Sequence, residues 1–343
     1  MKVALRRRLP ILIFFLFIAY SAFYKFVLKA GVNRRTSHDP SGSEAGFSFY
    51  KNYTIIRNFL DSPALPTEHS GSVTLVLHST IEYIDDYLEK QRKDLPNNLL
   101  KVTIFHETSP ANSNGTTSTP RVYPINVARN VARREIETKL FLSGDIENVL
   151  CCDYNRRIRG LATRLLVQEG RKTVLVHPRF EERDILSFPT SKTDLVALFA
   201  RGDAIPFHKY YYAAGHRISG LKEWLNRSGE AFVTVFKELS YDNAEWEPQF
   251  VARNDIPYHD ERFPFRRRSN THLATLLCRL GYTFTVVNDL FSVHSGIKRN
   301  ESAIESLVKE SKKFRYLTMV RSFRRELDLM YPQTKHKCPR FLP

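Results

Sequence analysis

The sequence predicts an α/β fold built on an open sheet. Short apolar runs of the kind that form buried strands recur between segments whose apolar residues fall at helical spacing. Their order is strand, helix, strand, helix, strand, the pattern that assembles a sheet with parallel strands. Polar and acidic residues follow the strands, where open sheets of this kind bind ligands. The acidic stretch "KLFLSGDIENVL", Lys139 to Leu150, is the clearest case.

Each element has its own justification. In "SVTLVLHST", Ser72 to Thr80, Val73, Leu75 and Leu77 alternate as in a strand. "IEYIDDYLEKQRKDL" then sets Ile81, Ile84 and Leu88 at helical spacing. "LKVTIFHE" is a second strand, and the Asn/Ser/Thr-rich segment 108–119 a loop. A helix over "INVARNVARREIE" leads into the strand "TKLFLS". A helix over 156–169 and the strand "KTVLVHP" follow. The C-terminal part is less regular, with a helix at 271–280, a strand at 282–288 and a basic helical tail at 301–329.

The N-terminus stands apart from this globule. Arg6-Arg7-Arg8 precede an apolar run from Leu9 to Leu28, interrupted by Lys25. A span of roughly 17–25 apolar residues crosses a bilayer if Lys25 snorkels. The basic cluster keeps residues 1–8 in the cytosol. The expectation is an uncleaved signal anchor at 9–28, a Ser/Pro/Gly-rich flexible stem at 29–71, and a lumenal or extracellular domain at 72–343. Lumenal exposure would make the sequons at Asn52, Asn114, Asn226 and Asn300 usable. Cys151, Cys152, Cys278 and Cys338 permit disulfides, with adjacent Cys151 and Cys152 unsuited to pair with each other.

The chain has 343 residues and a net charge of +16, part of it in the cytosolic tail. A basic lumenal domain points to anionic partners such as nucleotide-sugar phosphates, acidic glycans or lipid head groups. Nucleic acid is excluded by the topology. For any single run, such as Arg266-Arg267-Arg268, a solvated basic face is the plainer reading.

Several constellations could carry chemistry. Asp145 and Glu147, at i and i+2 on an extended chain, are either a turn or ligands for a hard cation such as Mn²⁺ or Mg²⁺. His294, after a strand, could join them, and Lys298 could meet phosphate; a lone histidine is more often structural. Asn126, Arg129, Asn130 and Arg133 form one helical stripe suited to a nucleotide base and phosphates, or simply exposed. "WEPQFVARNDIPYHDERF" reads as an acceptor-sugar loop, with Trp246 for stacking. It also supplies candidate bases: Asp260 first, then Glu261 and Glu247.

Seven stretches, "YPINVARNVAR", "FLSGDIENV", "VHPRFE", "IPFHKYY", "WEPQFVA", "DERF" and "GYTFTVVNDLFSVHSGIK", occur in order between about Val73 and Lys298. Together they resemble the family 49 glycosyltransferases, whose members glycosylate dystroglycan. The resemblance implies a GT-A-type open mixed sheet with helices on both faces. It also implies single-pass type II topology in the Golgi membrane. The implied reaction is inverting, Mn²⁺-dependent transfer from a UDP-sugar, with UDP-glucuronate suggested, to a glycan or glycoprotein. On this resemblance Asp145, Glu147 and His294 hold the metal. His78, Ser79 and Thr80 lie near the uridine, and Asn126, Arg129 and Asn130 fall on the family's donor helix. A homodimer is compatible with it.

Three departures stand out. Glu147 replaces the second Asp of Asp-x-Asp, the run Pro264 to Ser269 replaces a Gly-aromatic-Asn stretch, and Leu77 replaces a small polar residue. They motivate two further readings: a catalytically degenerate paralogue that binds glycans or escorts a partner, and a basic protein that binds acidic lipids.

Overall fold

The computed structural model describes residues 47–50, 53–61, 73–78, 101–107, 123–145, 147–183, 188–227, 229, 232–301, 306 and 313–343. The tail and apolar run at 1–28, Ser79, Thr80, Asn52 and Asn114 lie outside them. Among the described residues no helix is long and apolar enough to cross a membrane. The chain divides into two compact units.

The smaller unit holds a three-stranded sheet of β1 (Phe47–Tyr50), β2 (Tyr53–Asp61) and β4 (Lys101–Glu107), all antiparallel, with β2 central. Two of these strands fall in the stretch read as a stem. The strand "LKVTIFHE" forms as expected, but it pairs with β2 and not with its predecessor in the sequence. Strand pairing is non-local, so a strand's neighbour is not readable from the strand itself.

The larger unit is mixed α/β. Its six-stranded sheet has the order β10 (Val235–Leu239), β12 (Thr283–Val287), β7 (Thr173–Val176), β11 (Phe250–Arg253), β5 (Leu140–Asp145), β3 (Val73–His78). The pair β3/β5 is parallel, as the sequence predicts, and so is β7/β12, whose second strand lies in the part read as less regular. Between them lies β11, antiparallel to both β5 and β7. The sequence reading placed these four residues in a loop, because the run is short and lies between Pro248 and Pro257. Their insertion, together with the antiparallel edge pair β10/β12, makes the sheet mixed. A second, four-stranded sheet has the order β6 (Asn148–Leu150), β13 (Ser292–Ser295), β8 (Arg179–Glu182), β9 (Ala204–Pro206).

The core follows from the apolar runs. Leu140, Phe141, Leu142, Val174, Leu175, Val176, Val251, Ala252, Phe284, Val286 and Val287 are buried to the last few per cent. Continuous burial along a strand means that both sheet faces are covered. Each such large apolar side chain contributes roughly 1.5–3 kcal/mol. Helix α1 (Ile125–Arg134) is also buried, on its polar stripe as well as its apolar one. Helix α2 (Tyr154–Ala162) continues into a wider π turn over Thr163–Gln168. Helix α3 (Lys192–Arg201) shows why local sequence suffices in places. Ser191 and Asp194 form a reciprocal capping box, and Gly202 closes the other end in the left-handed region.

Two short helices, α4 (Ala213–His216) and α5 (Leu221–Asn226), precede α6 (Thr271–Arg279) and α7 (Lys313–Met330). The last was read as a basic tail. It is amphipathic: Tyr316, Val320, Phe323 and Leu327 form one stripe and pack with Phe263 and Phe341. Cys278 of α6 is disulfide-bonded to Cys338, while Cys151 and Cys152 are free thiols. Of the described sequons, Asn226 and Asn300 are exposed.

Candidate active site

The carboxyl end of β5 delivers Asp145, and the parallel register sets His78 beside it. Asp145 lies in a cleft of about 550 Å³, counting the part open to solvent. Arg129, Arg179, Glu247, Gln249, His259 and Asn270 also line it. Three elements converge here because α1, the turn from β7 into β8, and the approach to β11 all reach the same end of the sheet.

The two arginines are held differently. Arg129 Nη1 donates to the Ser269 carbonyl at 3.0 Å and to Asn126 Oδ1 at 3.1 Å. Its Nη2 reaches Asp145 Oδ1 at 3.4 Å. Arg179 Nη2 donates to the Glu247 carbonyl at 3.1 Å and to His216 Nδ1 at 2.6 Å. Burial lowers both guanidinium pKa values, while Asp145 and Glu247 act the other way.

Glu247 is pinned by its backbone and tuned by its surroundings. Its N–H donates to the Gly215 carbonyl at 2.7 Å, and its Oε2 accepts from Asn270 Nδ2 at 3.3 Å. Burial raises its carboxyl pKa, against the pull of Arg179, Asn270 and Arg129. Beneath it a buried polar chain ties the strand ends together. Tyr154 Oη lies 2.8 Å from His177 Nδ1, His177 Nε2 lies 3.0 Å from Gln249 Oε1, and Gln249 Nε2 donates to the Ser143 carbonyl at 3.4 Å. Burial, with Arg179, depresses His177 to about 3, so the imidazole is neutral.

The stripe on α1 corrects the donor-binding expectation. Asn126, Asn130 and Arg133 are buried, and their polar atoms grip the backbone of residues 254–263. Asn126 Nδ2 donates to the carbonyls of Asp260 and Phe263 at 3.0 and 3.2 Å. Asn130 donates to the His259 carbonyl at 2.8 Å and to Glu261 Oε1 at 2.9 Å, and accepts from the His259 N–H at 2.9 Å. Arg133 donates to the carbonyls of Asn254, Ile256 and Pro257 and stacks between Phe141 and Tyr258. Only Arg129 of the stripe reaches the cleft.

Other expected site residues also fall elsewhere. Asp260 is engaged by Arg262 at 2.6 Å, and Arg262 also binds Glu326. That ion-pair set, not the cleft, takes its carboxylate. Glu261 accepts from Asn130. Trp246 is 4% exposed and stacked against Tyr241, so its face is closed to a sugar. Lys298 lies over the Tyr211 ring, 4.3 Å from its centroid. The Arg266–Arg268 run is packed rather than free: Arg266 on Phe265, Arg267 on Tyr316, and Arg268 paired with Glu245 at 3.5 Å.

The expected metal ligands are Asp145, Glu147 and His294. His294 lies opposite Asn148 in the β6/β13 register, next in sequence to Glu147. Its Nδ1 is buried without a hydrogen-bond partner, and burial lowers its pKa against the opposing pull of the Gly296 backbone and the Glu147 and Asp145 carboxylates. Among the described residues, however, no three His, Cys, Asp or Glu side chains converge closely enough to hold an ion. Glu147 itself is exposed.

A family model described as glycosyl-transferase for dystroglycan matches residues 68–332. The chain belongs to this glycosyltransferase family. Among its relatives in that family, mouse (Mus musculus) beta-1,4-glucuronyltransferase 1 is 31% identical over 219 residues, covering 63% of this chain and 50% of the relative. Chicken (Gallus gallus) xylosyl- and glucuronyltransferase LARGE1 is 29% identical over 174 residues, covering 50% of this chain and 22% of the relative. The chain thus spans about half the length of the beta-1,4-glucuronyltransferases it matches. In a structural comparison, GalNAc-T7 solved with UDP, GalNAc and Mn²⁺ aligns with a TM-score of 0.39 and 11% identity, over 81% of this chain and 46% of that one.

The family motifs carried residues that the sequence reading left unused. Arg179 stands in "VHPRFE", and His208 in "IPFHKYY". Their place within shared motifs was the available signal; their position at the cleft and behind it became visible only with the fold.

Proposed function

We propose that the chain transfers a sugar, with glucuronic acid favoured, from a UDP-sugar to a glycan or glycoprotein acceptor, with inversion. In this reading the larger unit adopts a GT-A-type arrangement. Residues 9–28 anchor it as a type II protein in the Golgi membrane, with Asn226 and Asn300 as lumenal glycosylation sites. The observation that carries the reading is one cleft in which two carboxylates, Asp145 and Glu247, face two guanidiniums, the buried Arg129 and the half-buried Arg179. Anionic phosphates and a reactive hydroxyl need that combination of charges in one place.

Glu247 serves as the general base in place of Asp260. It lines the cleft, its raised pKa makes it a stronger proton acceptor, and the Asn270 amide orients it. Asp145 and Arg129 stand at the end of β5 where the diphosphate would lie. Asp145, Glu147 and His294 are donor types that suit a hard divalent cation, but among the described residues they do not converge on one point, so the charge of the departing diphosphate falls to Arg129 and Arg179.

The deciding experiment offers the full-length protein a panel of UDP-sugars with Mn²⁺ and measures release of UDP. Turnover that disappears in Asp145→Ala and Glu247→Gln supports the proposal. Glycan binding with no UDP affinity supports the degenerate paralogue, which the exposed Glu147 and the ungathered metal donors favour.

A further inference from the structure

Arg179 has a support that the reaction outlined above does not use. A guanidinium can only donate, so the His216 Nδ1 that receives its Nη2 carries no proton. In the neutral ring the proton then sits on Nε2, which lies 3.1 Å from His208 Nδ1. That atom must accept, which puts the His208 proton on Nε2. His208 Nε2 faces Glu181 Oε1 at 3.7 Å. The chain of donors therefore runs one way, from the cleft inward to His208, whose Nε2 stands within ion-pair distance, though beyond hydrogen-bond distance, of a carboxylate with no exposed surface.

Independent observations mark this chain as held in place. His208 has φ of 52°, a left-handed conformation that strains a non-glycine residue. Its ring stacks on Phe207 with centroids 3.9 Å apart, and the Arg179 guanidinium covers the same Phe207 ring at 4.4 Å. Burial keeps both imidazoles neutral, His208 at about 3 and His216 well below its ordinary value. Arg129 has a carboxylate within ion-pair distance; among the described residues Arg179 has none, and Asp145 and Glu247 act on it only at longer range. Its Nε and Nη1 are not engaged by any described acceptor, and it lines the cleft.

We propose that Arg179 recognises an oxyanion of the substrate, phosphate or carboxylate, and that His216, His208 and Glu181 are positioning residues that aim it. The inference rests on the proposed nucleotide-sugar cleft. The shared chemistry is a charge-assisted hydrogen bond from a guanidinium fixed before the ligand arrives.

Calorimetric titration of the full-length protein with uridine, UDP, UDP-glucose and UDP-glucuronate tests it. Arg179→Gln is expected to weaken, by roughly 10- to 100-fold, only those ligands that carry the recognised group. Losses for UDP and both UDP-sugars, with uridine unchanged, assign the diphosphate. A loss confined to UDP-glucuronate, down to the UDP-glucose level, assigns the sugar carboxylate. His216→Leu should give the same ligand pattern at smaller amplitude, and wild-type behaviour there overturns the positioning chain. Unchanged binding of all four ligands by Arg179→Gln, or an equal loss that includes uridine, overturns the role of Arg179. A wild type that binds none of the four overturns the proposed function and this inference with it.

Discussion

Two sets of polar side chains lie at the cleft and behind it, and they are bonded in opposite ways. Asn126, Asn130 and Arg133 on α1 spend their donors on backbone carbonyls of residues 254–263. Arg129, Asp145, Arg179 and Glu247 make fewer bonds, longer bonds, or bonds that leave part of the group facing the cleft. The first set resembles a finished structure and the second a structure awaiting a partner. Residue type does not separate them, since Arg129 and Arg133 lie one helical turn apart with the same side chain. The separation lies in what each meets. Arg133 meets the carbonyls of Asn254, Ile256 and Pro257, and Arg129 meets a strand end open to solvent.

The largest expected effect tests the cleft set. Glu247→Gln should lower kcat by about 10²–10⁴, the usual worth of a general base, while Asp260→Asn changes it by less than about threefold. Steady-state UDP release decides between them, and the reverse order would move the base to the 254–263 segment. The pH profile sharpens the same point. Because burial raises the Glu247 pKa, the base is ionised only above that raised value. The acid limb of kcat should therefore lie above the ordinary carboxylate pKa of about 4.3.

Arg133→Met tests the other set. It leaves several buried carbonyls without donors and should cost roughly 3 kcal/mol or more in urea unfolding, with UDP affinity of the folded protein little changed. If UDP affinity falls first, the α1 stripe binds ligand after all. Next in size is the covalent tie from α6 to the C-terminal segment. Cys338→Ser opens a link across a sequence separation of 60 residues and should cost about 2–4 kcal/mol without selective loss of turnover.

The smallest effect concerns the Asp260–Arg262–Glu326 set. Arg262 holds the Glu326 carboxyl down at about 2 in the folded state. A depressed acid adds stability that is present above its unfolded value of about 4.5 and is lost as pH falls toward 2. Both side chains are substantially exposed, so the change is modest. Arg262→Ala should flatten stability between those pH values in acid-unfolding curves, and an unchanged slope would show that Arg262 does not hold Glu326 in solution.

How much was legible depended on how local each feature is. The strands around Leu140–Leu142 and Val174–Val176 were visible because continuous apolar runs have few other solutions. Helix α1 was equally visible, and Asp145 at a strand end marked the ligand side of the sheet. Strand β11 was hidden by flanking prolines and by its four-residue length. Trp246 read as a sugar platform because sequence records an aromatic ring but not its burial. Asp260 outranked Glu247 for the same reason: an acid's neighbours, here Arg262 for one and Asn270 for the other, are distant in sequence.

By itself the sequence determined the apolar strands, the helix carrying the polar stripe, the cap at Ser191 and the ordered motifs that place the chain in its family. These are short-range facts, fixed by periodicity and residue chemistry. The tertiary structure alone decided which members of the stripe face the cleft, which acid is free to act there, and that Arg179 is backed by two histidines and Glu181. Those properties come from groups far apart in the chain brought within a few ångströms, where burial and pairing set charge, orientation and access.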